Sequence, residues 1–262
     1  MPPVFSPLRS SRQPSPWSRI LESAHDGHFV QFYGSDEGAL TRNVTKYFRD
    51  GVDSGEPGLI IATQVHLASF EKTLGHGVIF LDARETLARF MVFGHPDWER
   101  FQDVIDAALH TLRESAPGAT IRAFGEMVGI LWAAGQFAAA IRLEQFWNRL
   151  LNRDGVNLYC AYPIDILSSG FHSKNVDALL SNHTHILPGI DGGFESFIFE
   201  AMHDILGGDS ARIRAATSNP KASWGLMPPS EALLLALRDH APHQADEIVS
   251  IARARYANDV ID

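Results

Sequence analysis

Glu126 stands in the run Arg122-Ala123-Phe124-Gly125-Glu126-Met127, a carboxylate among apolar neighbours. Such a group needs a cation or a ligand if it is buried, so a structural ion pair with Arg122 and a ligand-orienting role both stay open. Asp82 closes the apolar run Val78-Ile79-Phe80-Leu81. An acid ending a strand can hold Mg²⁺ water in phosphate-handling sites, but it also caps helices, and capping is the favoured reading here. His183 and His185 are spaced as neighbours on one strand face, where imidazoles could ligate a metal. With no HExxH, no CxxC and no third ligand nearby in sequence, a hydrogen-bonded pair is favoured over a metal site. His25 and His28 around Asp26 are a weaker metal signal still. Cys160, the single cysteine, lies in an apolar run and reads as a small buried hydrophobe rather than a nucleophile.

Phosphate chemistry finds little support. No Gly-Lys dipeptide occurs, so the GxxxxGK[ST] loop is absent, and neither GxGxxG nor GxSxG is present. The chain has 262 residues, 45% of them hydrophobic and 20% charged, as a folded globular protein would. Its formal charge of -9 argues against direct nucleic-acid binding. One cysteine excludes an intrachain disulfide framework and fits a reducing cytoplasm. No apolar stretch reaches the roughly 18 to 20 residues that a membrane span requires.

The elements that must position these groups are readable from Phe29 onward. Strands are expected at Phe29–Tyr33, Leu59–Thr63, Val78–Leu81, Thr120–Phe124 and Asn157–Tyr162, with a short final one at His183–Leu187. Several are apolar without alternation, as strands buried on both faces are. Ser35-Asp36 should cap the first helix, Asp97 should cap the helix that runs toward Leu112, and Gly135 should join a helical pair. Glu85–Phe93 and Ile164–Leu180 also read as helical. Strands separated by helix-length segments imply βαβ units, so the fold class is α/β, a mostly parallel sheet covered by helices on both faces. Residues 1–24, rich in Pro, Ser and Arg, read as a disordered leader, 25–190 as the main domain and 191–262 as a helical C-terminal extension.

His28-Phe29-Val30-Gln31-Phe32-Tyr33 followed by Ser35-Asp36-Glu37, then Gly58–Thr63, Leu81-Asp82-Ala83 with Leu87-Ala88-Arg89-Phe90-Met91, Arg122–Met127 and Cys160-Ala161-Tyr162-Pro163 stand in consistent order. In this order they resemble the MEDS domain, the sensory domain of methanogen and methylotroph regulators and DcmR. The resemblance implies a non-enzymatic input module for small hydrocarbon derivatives, on a scaffold similar to RecA and KaiC without the P-loop. It also implies a kinase or DNA-binding output, yet neither segment is recognisable in this chain.

If the strands are parallel, their ends open on one edge. There His28, Gln31, Phe32, Tyr33, Asp82, Phe124, Gly125, Glu126, Met127 and Tyr162 are the expected ligand-binding residues for a small organic effector. Gly125 would admit a close approach, Met127 would adapt in shape, and Glu126 or His28 would orient a polar substituent. No cofactor, metal or catalytic residue is expected. Leu233, Leu234, Leu237, Ile248, Ile251 and Ala252 form helical apolar stripes that pack on the domain or on a regulatory protein partner, with a homodimer left open. From Glu231 to Asp262 six acids face three arginines, which disfavours a DNA-reading helix pair. The alternative is a degenerate RecA/KaiC-like ATPase or metal-dependent enzyme using Asp82 and Glu126.

Overall fold

The computed structural model describes residues 27–34, 37–169, 171, 176–187, 189, 192–207 and 229–259. The expected leader and the Ser35-Asp36 cap lie outside them. The main sheet comprises β1 (His28–Phe32), β2 (Gly58–Ala62), β3 (Val78–Asp82), β6 (Ile121–Gly125), β7 (Val156–Tyr162) and β8 (His185–Leu187). Its order is β3-β2-β6-β7-β1-β8, and every pairing in it is parallel. The α/β reading therefore holds. Two-residue strands β4 (Met91–Val92) and β5 (His95–Pro96) form a separate hairpin.

Strand alternation divides the core in two. Val30, Leu59, Ile61, Ala123, Leu158 and Cys160 face one layer, built by α3 (Ala83–Phe90), α4 (Trp98–Ser115), α5 (Met127–Ala133) and α6 (Phe137–Asp154). Phe29, Ile60, Ala62, Phe124, Tyr159 and Ala161 face the other, under α1 (Gly38–Asp53) and α2 (Gln64–Glu71). Both faces are thus covered, which is why these strands lack a polar side and could be read as continuous apolar runs.

The connections set the position of the site. From β2 the chain leaves through α2 toward the edge strand β3, whereas from β6 it leaves through α5 and α6 toward β7 on the other side. Neighbouring strands whose connections part in opposite directions leave a crevice at their carboxyl ends. Here that crevice lies between β2 and β6.

Two local expectations are corrected. The segment expected to stay helical to Phe93 ends at Phe90, and Phe93 and Gly94 (φ 48° and 81°) form the tip of the β4–β5 hairpin. Two successive positive φ values are what a tight two-residue hairpin turn needs, and they override the helical spacing of Leu87, Phe90 and Met91. Within Ile164–Leu180, only Asp177–Leu180 (α7) is helical among the described residues. Asp165 instead organises a turn, accepting from the Leu167 N–H at 2.8 Å and, through its carbonyl, from the Ser168 hydroxyl.

The C-terminal helices α8 (Gly192–Leu206), α9 (Pro229–His240) and α10 (Pro242–Asp259) bury Phe194, Ile198, Met202, Leu233, Leu237 and Ile248 among themselves. Gly192 and Gly193 begin α8. Leu235 of α9 reaches the sheet's own core. Arg238, also on α9, donates to the carbonyls of Ile166 and Leu167 at 2.8 Å and to that of Ser168. The Gly189 N–H donates to Glu231 at 3.0 Å. The tail's apolar stripe is therefore covered in cis, by its own helices and by the segment that follows β7.

Candidate functional site at the carboxyl edge of the sheet

Glu126 immediately follows β6 and is 2% exposed. Its backbone N–H donates to the Ile61 carbonyl at 3.0 Å, which locks the residue against the end of β2. One carboxylate oxygen accepts from the Thr63 N–H at 2.7 Å and the Thr63 hydroxyl at 3.1 Å. The other accepts from His66 Nδ1 at 2.6 Å. Thr63 is the residue before α2, and His66 lies in that helix's first turn, so this network closes over the β2–β6 crevice. Glu37 reaches His66 Nε2 at 3.3 Å from the start of α1, and the Tyr33 ring lies edge-on to the imidazole at 6.1 Å.

The bond to Glu126 raises the His66 pKa, against burial, and the Glu126 and Glu37 charges reinforce the rise. Burial, then the same two carboxylates, push the Tyr33 hydroxyl well up, so it stays a neutral donor. Gly125 is buried, yet a Cβ placed on it would meet no atom within 4 Å. A hollow therefore lies beside it. By strand alternation that hollow faces the layer of Ala123 and of Gly125's register neighbour Cys160.

Of the residues expected at this edge, Tyr33, Gly125 and Glu126 gather around the crevice. Gln31 is wholly buried within the sheet and accepts from the Tyr159 hydroxyl and, at 3.3 Å, from Asn43 Nδ2. Phe124 packs between Phe70 and Tyr159, while Phe32 and Met127 belong to the core beneath α5 and α6. Asp82 accepts from the N–H groups of Arg84 and Glu85 at 2.8 and 2.9 Å, so its carboxylate caps α3 on the edge strand. Arg122 does not meet Glu126. It sits near the amino end of β6, 2.5 Å from Glu56, because four residues along an extended strand, about 13 Å, separate the amino edge of the sheet from the carboxyl edge.

His28 is displaced most. It opens β1, opposite Leu158, whereas the strand tips are at Phe32 and Tyr162. Its ring turns to the α6 layer, where Nε2 lies 3.2 Å from Glu144 and 3.4 Å from Cys160 Sγ. Tyr162 joins the same group, donating to Glu144 at 2.5 Å. His183 and His185 do not share a strand face. His183 precedes β8 and its ring lies tilted against that of His28 at 4.1 Å, whereas His185 stacks on Phe29 in the opposite layer.

His66, Thr63 and Glu144 were not anticipated as site residues. For His66 and Thr63 no local signal exists, since only the pairing of β2 with β6 brings them to Glu126. Glu144 carried one: it interrupts the apolar stripe Ala140, Leu143, Trp147 and Leu150 of α6 at helical spacing.

A fully parallel sheet covered by helices on both faces, with a buried carboxylate–imidazole pair at its switch point, makes this a doubly wound α/β domain. The chain belongs to the MEDS (methanogen/methylotroph, DcmR sensory) domain family, whose model matches residues 27–184. No curated protein and no solved structure matches it. It is thus a sensory domain of that family, followed by three further helices among the described residues. No helix among the described residues is long and apolar enough to cross a membrane.

Proposed function

We propose that this chain is a cytoplasmic, non-enzymatic sensor that binds a small organic effector at the β2–β6 crevice and signals to a regulatory protein through its C-terminal helices. The observation that carries the reading is the Glu126–His66 pair at the switch point, with the hollow at Gly125 one residue back along β6 and on the other side of the strand end. The carboxylate, and His66 Nε2 in place of its 3.3 Å contact with the exposed Glu37, offer an acceptor and a donor to a polar substituent, while the surrounding apolar core suits the remainder of a small molecule. Asp82 is engaged in capping, which weighs against a catalytic carboxylate pair.

The route to the tail is short. α9 grips the carbonyls of Ile166, Leu167 and Ser168, and these residues continue directly from the carboxyl end of β7. An effector that favours one arrangement of that segment would shift the helices with it. A RecA/KaiC-like ancestry that lost its phosphate loop is consistent with the parallel sheet and the absent GxxxxGK[ST] motif, and an output in transcription regulation follows the family's character.

Thermal-shift screening of the full chain against small alcohols, amines, carboxylic acids and halogenated hydrocarbons tests the reading. A hit should stabilise the wild type and lose its effect in Glu126→Gln and Gly125→Leu. Stabilisation that survives both substitutions, or none across the panel, overturns it.

A further inference from the structure

On the sheet face opposite His66, four donor side chains converge from four elements far apart in the chain: His28 of β1, Glu144 of α6, Cys160 of β7 and His183 just before β8. All four are buried, and one ligand atom from each lies within 4.8 Å of the others. We propose that this cluster is a binding site for one divalent transition-metal ion of the zinc class, ligated by both imidazole Nε2 atoms, the Cys160 sulfur and a Glu144 oxygen.

The separations fit such an ion. Tetrahedral bonds of about 2.0 to 2.3 Å to N, O and S place neighbouring donors roughly 3.3 to 3.8 Å apart. The observed distances are 3.2 Å from His28 Nε2 to Glu144 Oε2, 3.4 Å from His28 Nε2 to Cys160 Sγ and 3.8 Å from Cys160 Sγ to Glu144 Oε2, while His183 Nε2 lies 3.4 Å from the other carboxylate oxygen, Oε1, and within 4.8 Å of the remaining donors.

The outer hydrogen bonds set the lone pairs. His183 Nδ1 donates to the Leu179 carbonyl at 2.6 Å, which leaves Nε2 as the bare nitrogen aimed into the cluster. His28 Nδ1 donates to Asn148 Oδ1 at 2.8 Å, and Asn148 is itself oriented by donating through Nδ2 to Asn182. Tyr162 donates to Glu144 and fixes the carboxylate. Ligating histidines are held in this way in metal sites: one nitrogen bonds an oxygen acceptor and the other faces the ion.

A second and independent observation points to a missing partner. His183 Nε2 has no hydrogen-bond partner among the described residues, although the side chain is fully buried. With Nδ1 donating to Leu179, the neutral ring turns its Nε2 lone pair toward the Glu144 carboxylate 3.4 Å away, an arrangement that a cation between them compensates. The charge also closes. Two neutral imidazoles, one carboxylate and one thiolate neutralise a dication, so the filled site adds no net charge to the core. On binding, the Cys160 thiol gives up its proton to solvent and the sulfur bonds the metal. A thiolate and two imidazoles select zinc-class ions over Mg²⁺ or Ca²⁺, which require oxygen donors.

The test uses the full chain, stripped with chelator and titrated with Co²⁺ as a spectroscopic stand-in for zinc. The expected result is one equivalent bound, with visible d–d bands of tetrahedral intensity and a near-ultraviolet thiolate-to-cobalt band, all displaced by Zn²⁺. Cys160→Ser should remove the thiolate band, and His183→Gln should weaken Co²⁺ binding by at least about 10-fold. Should either variant fail to fold by circular dichroism, the wild-type spectrum decides. Uptake below stoichiometry by folded wild type, binding without a thiolate band, or a band that persists in Cys160→Ser overturns the site. None of these readouts involves the effector, so this site stands or falls apart from the proposed crevice.

Discussion

Replacing Glu126 with Gln keeps the volume of the side chain and removes its charge. In the native chain the carboxylate accepts from the Thr63 N–H at 2.7 Å, the Thr63 hydroxyl at 3.1 Å and His66 Nδ1 at 2.6 Å. A Gln amide keeps one acceptor oxygen and presents an NH₂ to the other donor, so one of these charge-assisted bonds is lost outright. Such bonds are worth about 1.5 to 3 kcal/mol each, which predicts a loss of about 2 to 3 kcal/mol near pH 6. In a domain of this size that corresponds to roughly 4 to 10 °C in Tm. The pH dependence sharpens the prediction. The bond to Glu126 raises the His66 pKa from its ordinary 6.5, so the pair's contribution is complete below that value and fades as pH climbs through the raised one. The wild-type-minus-variant difference in urea unfolding should therefore be larger near pH 6 than near pH 9. The same replacement in a His66→Gln background should show no such slope. A difference that is equal at both pH values, or a variant as stable as wild type, would refute the charged pair.

Two glycines near the crevice should behave oppositely. A Cβ on Gly129 would lie 2.5 Å from the Ala161 carbonyl oxygen and 3.0 Å from Pro163 Cδ, so Gly129→Ala must push α5 off β7 and should cost about 1 to 3 kcal/mol in chemical denaturation. Gly125→Ala, which meets nothing within 4 Å, should stay within about 0.5 kcal/mol of wild type. Arg238→Met removes the bonds to three carbonyls after β7 and should loosen the tail, seen as faster limited proteolysis between the sheet domain and α9 while the sheet domain stays resistant. Unchanged proteolysis would mean that the apolar contacts of α9 alone hold it.

The apolar run Leu59-Ile60-Ile61-Ala62 could be recognised as a strand from its residues because burial on both faces removes any need for alternation. Asp97 and Asp82 announced themselves as caps for a similarly local reason, since a cap bonds the backbone two or three residues ahead. Glu126 stood out because a carboxylate inside an apolar run must find a partner. The identity of that partner was not readable. Arg122, close in sequence, is carried to the far end of β6, whereas His66, sixty residues distant, is brought in by the β2–β6 pairing.

His28 shows the same division from the other side. Its motif with Gln31, Phe32 and Tyr33 was visible, but the strand's two-residue period sends His28 and Phe32 to one layer and Gln31 and Tyr33 to the other. The sequence alone therefore determined the class of fold, the order of its elements and the presence of buried polar groups, because those depend on short-range patterning. Which of those groups meet was decided by tertiary structure. Strand order and the phase of each strand and helix act over distances that no local spacing encodes, and they join Glu126 to His66 on one face while gathering His28, Glu144, Cys160 and His183 on the other.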